Sequence, residues 1–220
     1  AATAPKMGML DSMPGALPPL GVWDPCGLST DIADSQILWY RAAELKHGRV
    51  AMLACAGWMV QGSGIVVLPG YLSKADNLKF ADLGNKPIEA WAAIPTAGKL
   101  QIVLSIALLE FHSEMVFDDK PHYTKGGLPG YYPPIKGKRP ELIFNLYDPF
   151  NWFPEQSAES KARGLKSEIL NGRAAMIGIM GFCSEAKVPG SVPFLHGIEG
   201  FPHYDGNVMI PFSNDFSLFA

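Results

Sequence analysis

The chain reads as an all-α membrane protein with three transmembrane helices, the first and third crossing as a pseudo-two-fold pair. Three observations predict this. The stretch Glu44-Leu45-Lys46-His47-Gly48-Arg49-Val50-Ala51-Met52 returns 124 residues later as Glu168-Ile169-Leu170-Asn171-Gly172-Arg173-Ala174-Ala175-Met176. Glu, Gly, Arg, Ala and Met are identical in place, and Asn stands for His. Each copy then enters a charge-free run, Val50–Val60 or Ala174–Cys183, rich in Gly, Ala and Met. Between them lies a third apolar segment, Leu100–Phe117. An internal repeat constrains architecture before any local reading does, and this one carries further: Gly57 maps onto Gly181, Asp24-Pro25 onto Asp148-Pro149, and Trp23 onto Tyr147. Two equivalent helices follow, each entered through an Asp-Pro turn. The 220 residues are expected to form one domain, with spans over about 35–62, 100–117 and 160–186.

The first helix, counted from Ser35, covers roughly 28 residues, or about 42 Å, enough for a ~30 Å hydrocarbon core with its polar end near the interface. The middle helix only just spans, at ~27 Å. A hydrophobic content of 48% and a mean hydropathy of +0.09 fit a small membrane protein. A net charge of −3 gives no footprint for nucleic acid. The three cysteines, Cys26, Cys55 and Cys183, have no metal spacing and do not make a disulfide framework; they read as small packing residues.

Residues 1–30 contain no apolar signal core, and Ala1-Ala2-Thr3-Ala4-Pro5 reads as a processed N-terminus from which a targeting peptide has been removed. Pro14, Pro18 and Pro19 keep this segment extended, and Ser29 or Asp31 is expected to cap the first helix. Residues 62–98 form a connector with scattered Gly and Pro, in which Pro87-Ile-Glu-Ala-Trp-Ala-Ala makes a short interfacial helix ending before Pro95. The loop 118–166 carries eight basic residues against Lys74, Lys79, Lys86 and Lys99 in and beside the first connector. Positive-inside bias therefore places that loop, and the N-terminus, on the non-translocated side. Within it, residues 122–132 read as a surface turn; Gly126-Gly127 lacks the spacing and the following Lys-Ser/Thr of a phosphate loop. The tail beyond Glu185 is aromatic and rich in Gly and Pro, suited to a bilayer interface or a neighbouring subunit.

The polar residues of the spans carry the function. Glu44 and Arg49 lie five apart, about 140° around the helix, so they cannot pair with each other. Two crossing copies solve this: Glu44 with Arg173, and Glu168 with Arg49, each as a bidentate, neutral and therefore burial-tolerant fork. Gly48, Ala51, Gly172 and Ala175 let the two backbones approach closely. His47 and Asn171 follow each Glu by three residues on nearly the same face. Imidazole nitrogen, amide oxygen and a spare carboxylate lone pair all serve as the one axial ligand that a Mg macrocycle such as chlorophyll needs. In the middle helix Gln101, Glu110, His112 and Glu114 are polar, and carboxylates without an Arg partner there point to a metal or a shared proton. The same residues also fit ion-paired helices of a small transporter, with His47 merely hydrogen-bonded and His112 interfacial. No nucleophile–base constellation is present, so no catalysis is expected.

The two nine-residue segments resemble the signature helices of light-harvesting chlorophyll-binding proteins, and Trp23-Asp24-Pro25-Cys-Gly-Leu-Ser and Tyr147-Asp148-Pro149-Phe resemble that family's loops. The resemblance covers nearly the whole chain. It implies that Glu44 and Glu168 ligate chlorophyll Mg while pairing with the opposite Arg, that His47 and Asn171 are the next ligands, and that the middle helix supplies Glu110, with Gln101 and His112 as weaker choices. Glu185 stands where the family often has a Gln ligand, a departure that puts the site in question; His196 is a further ligand or a plain histidine. Two carotenoids are implied in the grooves of the helix cross, ending near the Asp24 and Asp148 loops. His-Tyr-Thr-Lys-Gly-Gly-Leu-Pro-Gly-Tyr-Tyr and Val-Pro-Gly-Ser-Val-Pro-Phe-Leu are similar to the red-lineage branch, the fucoxanthin or peridinin chlorophyll a/c type, with the dinoflagellate form favoured. The implied cofactors are chlorophyll a, chlorophyll c and xanthophylls; the implied partners are photosystem core subunits, neighbouring antenna proteins and thylakoid lipids, with no diffusible substrate. On this resemblance the protein is a plastid thylakoid antenna with a stromal N-terminus; a photoprotective, energy-quenching relative on the same fold is the alternative, for which Asp76, Asp82 and Glu89 are the acids to watch.

Overall fold

The computed structural model describes residues 7–16, 21–30, 32–64, 68–115, 121–133, 135–136, 143–144, 157–188 and 190–195. Their order is α1 (Met7–Ser12), α2 (Asp34–Gly62), β1 (Tyr71–Ser73), β2 (Leu78–Lys79), α3 (Pro87–Ala93), α4 (Thr96–Met115), β3 (Ile135–Lys136), β4 (Ile143–Phe144) and α5 (Ala158–Lys187), with 3-10 turns at Phe80–Leu83 and Tyr123–Lys125. At 29, 20 and 30 residues, α2, α4 and α5 dominate, and they run about 43, 30 and 45 Å at 1.5 Å per residue. Among the described residues no single helix is long and apolar enough to cross a membrane by length and composition, because α2 and α5 carry their charges inside. α3 and α4 together are, bent by 108°. Pro95 supplies the bend, since proline starts a helix well and cannot continue one.

The chain divides into two compact units, Ala1–Arg49 with Glu110–Arg173, and Val50–Leu109 with Ala174–Ala220. Both boundaries within α2 and α5 fall just after the repeat's arginine, at equivalent positions. In the first unit Leu45 and Ile169, which the repeat equates, are both buried. Gly48 and Gly172 meet there: a Cβ built on either would lie 3.0 Å from the other's Cα. Small residues permit this approach and nothing larger does. In the second unit Cys55 Sγ donates to Ala175 O at 3.4 Å, and Trp58 stacks on Phe182 with centroids 5.9 Å apart. Cys55 is thus a packing residue as expected, whereas Cys26 is exposed in its loop.

α4 leaves Leu104, Ile106, Leu108 and Phe111 exposed, a pattern that suits an apolar surrounding. Lys99 near its start is buried and does not act as a loop charge. α3 forms where expected, with Pro87 at its first turn and Lys86 Nζ 2.8 Å from Glu89. The β1–β2 hairpin is antiparallel and closes through Asn77 in left-handed conformation (φ +54°).

The Asp24 turn is real and self-contained. Asp24 accepts from the backbone N–H groups of Leu28 (2.9 Å) and Ser29 (2.8 Å) and from Ser29 Oγ (2.5 Å). The Ser29 bonds above all hold its carboxyl below the ordinary range. Ser29 therefore does not cap α2, which begins at Asp34, five residues later; Asp31 lies outside the described residues, as do Tyr147, Asp148 and Pro149.

The glycine contact gives a first test. Gly172→Leu must push α2 and α5 apart, at a cost of about 1–3 kcal/mol from overpacking. Thermal melting of the refolded protein by circular dichroism should show it as a lowered midpoint, whereas the same change at Gly57, where a Cβ meets nothing within 4 Å, should leave the midpoint nearly unmoved.

Candidate functional site

The repeat's charges meet reciprocally. Arg173 Nε donates to Glu44 Oε1 at 2.7 Å and Arg49 Nε to Glu168 Oε1 at 2.5 Å. The forks differ from the expected bidentate ones. Each guanidinium gives one N–H to the carboxylate and turns Nη1 onto a loop carbonyl: Arg173 to Gly15 O at 2.9 Å, Arg49 to Gly130 O at 2.7 Å. One arginine thereby ties three separate stretches of chain.

The two copies are not equal. Arg41 Nη1 sits 2.5 Å from Glu44 Oε2, so both oxygens of Glu44 face guanidinium. The position equivalent to Arg41 in the second copy is Leu165. Glu168 Oε2 accordingly accepts no hydrogen bond among the described residues.

His47 and Asn171 are both exposed, and each is anchored one turn back. His47 Nδ1 lies 2.8 Å from Ala43 O. A carbonyl can only accept, so Nδ1 holds the proton and Nε2 keeps its lone pair facing outward. Asn171 Nδ2 donates to Ser167 Oγ at 3.1 Å, which leaves the amide oxygen Oδ1 as the presented atom. Different chemistry at equivalent positions yields the same result: one fixed, outward lone pair.

The remaining expectations divide. Gln101 is exposed on α4. Glu110 is not a buried carboxylate without a partner; it is exposed and bonded to Lys46 Nζ, which also lies 3.8 Å from Glu114. Glu114 is spent on His122 Nε2 (3.0 Å) and on Tyr123 OH (3.1 Å). Burial, helped by the Glu114 charge, pushes the Tyr123 phenol up to about 12. His112 has its Nε2 3.2 Å from Pro133 O and packs its ring against Tyr132. Glu185 is engaged within the chain. It is buried, and its two oxygens accept the backbone N–H groups of Gly190 (2.7 Å) and Val192 (2.8 Å), so it closes the turn after α5 and presents no oxygen outward. His196 lies outside the described residues.

Sequence reasoning missed Gly15 and Gly130. The segment around Gly130 reads as a surface turn, yet Gly130 is half-buried and Pro133 buried. A signal existed: Pro14-Gly15-Ala-Leu-Pro-Pro19 and Pro129-Gly130-Tyr-Tyr-Pro-Pro134 are a second repeat, at an offset of 115 instead of 124.

Residues 9–187 match the family model described as chlorophyll A-B binding protein. The chain belongs to the chlorophyll a-b binding protein family. This family's match runs to Lys187, the last residue of α5, and includes every candidate ligand except His196. Among curated relatives, the chain is 38% identical to the chloroplastic fucoxanthin-chlorophyll a-c binding protein F of Macrocystis pyrifera over 81% of its own length and 75% of the relative's. It is 37% identical to the protein of the same name from Phaeodactylum tricornutum, over 79% and 78%. With the fucoxanthin-chlorophyll a-c binding protein of Trieres chinensis it shares 35% over 89% and 87%. His47 Nε2, Asn171 Oδ1 and Glu168 Oε2 all lie within the matched residues, and all three atom types are donors that Mg accepts.

Two outcomes test this arrangement. Arg49→Leu should destabilise more than Arg173→Leu, because Glu44 keeps Arg41 while Glu168 keeps nothing comparable; a charge-assisted hydrogen bond contributes about 1.5–3 kcal/mol, and paired thermal melts measure the gap. Glu185→Gln should lower the melting midpoint, by about 1–3 kcal/mol for a backbone N–H left without its acceptor, with pigment content per polypeptide unchanged.

Proposed function

We propose that this protein is a light-harvesting antenna of the plastid thylakoid membrane, binding chlorophyll a, chlorophyll c and xanthophyll carotenoids. Family membership supports the pigments, as do the names of relatives that bind fucoxanthin and chlorophylls a and c. The observation that carries the reading is the pair of locked lone-pair donors, His47 Nε2 and Asn171 Oδ1, at equivalent positions of duplicated helices. When bound, the pigments supply light absorption and the excited states that pass by resonance to neighbouring antenna proteins and a photosystem core.

The residues do the positioning. His47, Asn171 and Glu168 each offer one atom for Mg, and Glu44 does so beside Arg41; Glu110 and Gln101 on α4 complete the proposed set. Rigid helices hold these atoms at fixed separations, and fixed separation is what an energy-transfer scaffold contributes. α2, α4 and α5 are the three spans in this reading, with α2 and α5 as the crossing pair, α3 at the interface and the N-terminus in the stroma. The lengths of about 43, 30 and 45 Å accommodate a ~30 Å core, and the apolar flanks of α4 face lipid and pigment. The Asp24 turn meets a carotenoid end.

Reconstitution with chlorophylls a and c and carotenoid tests the function. His47→Ala and Asn171→Leu should each lose one chlorophyll per polypeptide by pigment chromatography, with helicity retained. Excitation into the chlorophyll c and carotenoid bands of the unaltered protein should produce chlorophyll a fluorescence. A folded but colourless product would end the antenna reading.

A further inference from the structure

We propose that Gly15 and Gly130 are positioning residues for the two glutamate ligands, each acting through an arginine; the inference rests on the reading of Glu44 and Glu168 as pigment ligands. Two chains of contact carry it. Gly15 O holds Arg173 Nη1, and Arg173 Nε holds Glu44 Oε1. Gly130 O holds Arg49 Nη1, and Arg49 Nε holds Glu168 Oε1. A guanidinium is planar and its N–H directions are rigid. Anchoring Nη1 on a carbonyl therefore fixes the plane of the group and the seat of Oε1; at Glu168 this sets where Oε2 faces, and at Glu44 it does so together with Arg41, which holds Oε2.

The glycines are required at both ends. Gly15 has φ +105° and Gly130 φ +80°, conformations that side chains rarely adopt. A Cβ on Gly15 would lie 3.1 Å from Arg173 Nη2 and 3.1 Å from Ile169 Cγ2. On Gly130 it would lie 2.8 Å from Leu45 Cδ1 and 3.3 Å from Arg49 Nη2. Leu45 and Ile169 are equivalent in the repeat, as are Arg49 and Arg173, so the two glycines contact matching atoms on opposite helices. The Pro-Gly-x-x-Pro-Pro segments around them repeat as well. Each loop thus controls the glutamate of the helix that follows it, by way of the arginine of the other helix.

The test uses the full chain refolded with pigments, reading low-temperature absorption and pigment number per polypeptide. The charge-neutral double variant Glu168→Leu/Arg49→Leu defines the spectrum of the Glu168-bound pigment by difference, and Glu44→Leu/Arg173→Leu does the same for Glu44. Gly130→Ala should reproduce the first difference spectrum and leave the second band in place; Gly15→Ala should do the reverse. Arg49→Lys, which keeps the charge but cannot span both acceptors, should also shift or lose the Glu168 band, and it serves if Gly130→Ala does not refold. Glycine and Lys variants that retain the Glu168 band, or that lose all bands evenly, overturn the positioning role while the ligand reading stands. A Glu168→Leu/Arg49→Leu protein with full pigment content overturns the ligand reading and the proposal together.

Discussion

A glutamate and an arginine placed five residues apart on one helix cannot satisfy each other, and everything else in this protein follows from how that problem is solved. The solution is a second copy of the same helix. Glu44 takes Arg173, Glu168 takes Arg49, and neither pair forms unless both helices are present in the correct register. The approach is set by Gly48 and Gly172, where a single added carbon meets backbone at 3.0 Å. Close packing brings the guanidinium groups within reach, and the ion pairs in turn hold the glycines together. Each contact makes the other possible, which is why the unit that contains both arginines also contains the buried pair Leu45 and Ile169.

Duplication produced a symmetric frame but not symmetric sites. The first copy carries Arg41, Lys46 and His47; the second carries Leu165, Leu170 and Asn171 at the same positions. Lys46 reaches Glu110 and Arg41 reaches Glu44, so the first copy places its glutamate in a more cationic setting. A cation beside a carboxylate lowers its donor strength, and an imidazole is a different donor from an amide. Two helices with one skeleton thus offer electronically different seats. On the proposed antenna function, such differences would give the two copies pigments of unequal energy.

The frame was legible because its determinants are covalent neighbours in the sequence. A repeat at a constant offset of 124 exposes Glu, Gly and Arg together, and helical geometry then forbids the intrahelical pair and requires the crossed one. The equivalent, exposed positions of His47 and Asn171 were legible for the same reason. The partners of Glu185 and His112 were not legible because they are backbone atoms: the N–H groups of Gly190 and Val192, and the carbonyl of Pro133. Every residue has such atoms, so composition and spacing hold no trace of which ones are used. The partner of Glu110 was hidden for a related reason, since Lys46 is 64 residues away and nothing in the sequence aligns the two.

Gly15 and Gly130 show the limit most clearly, and also what it means. Twenty-nine residues separate Gly15 from Glu44, and thirty-eight separate Gly130 from Glu168. A search at the helix offset passes over them because the intervening chain differs by nine residues. Yet in three dimensions each glycine meets the same two side chains, an aliphatic one and an arginine. The requirement falls on the carbonyl's position against the guanidinium and leaves the length of the path from loop to helix free. Loop length can drift where the backbone does no work, while the short Pro-Gly turn that presents one carbonyl cannot. A contact made by main-chain oxygen therefore leaves its record in the sequence indirectly, as the glycine that lets the turn close.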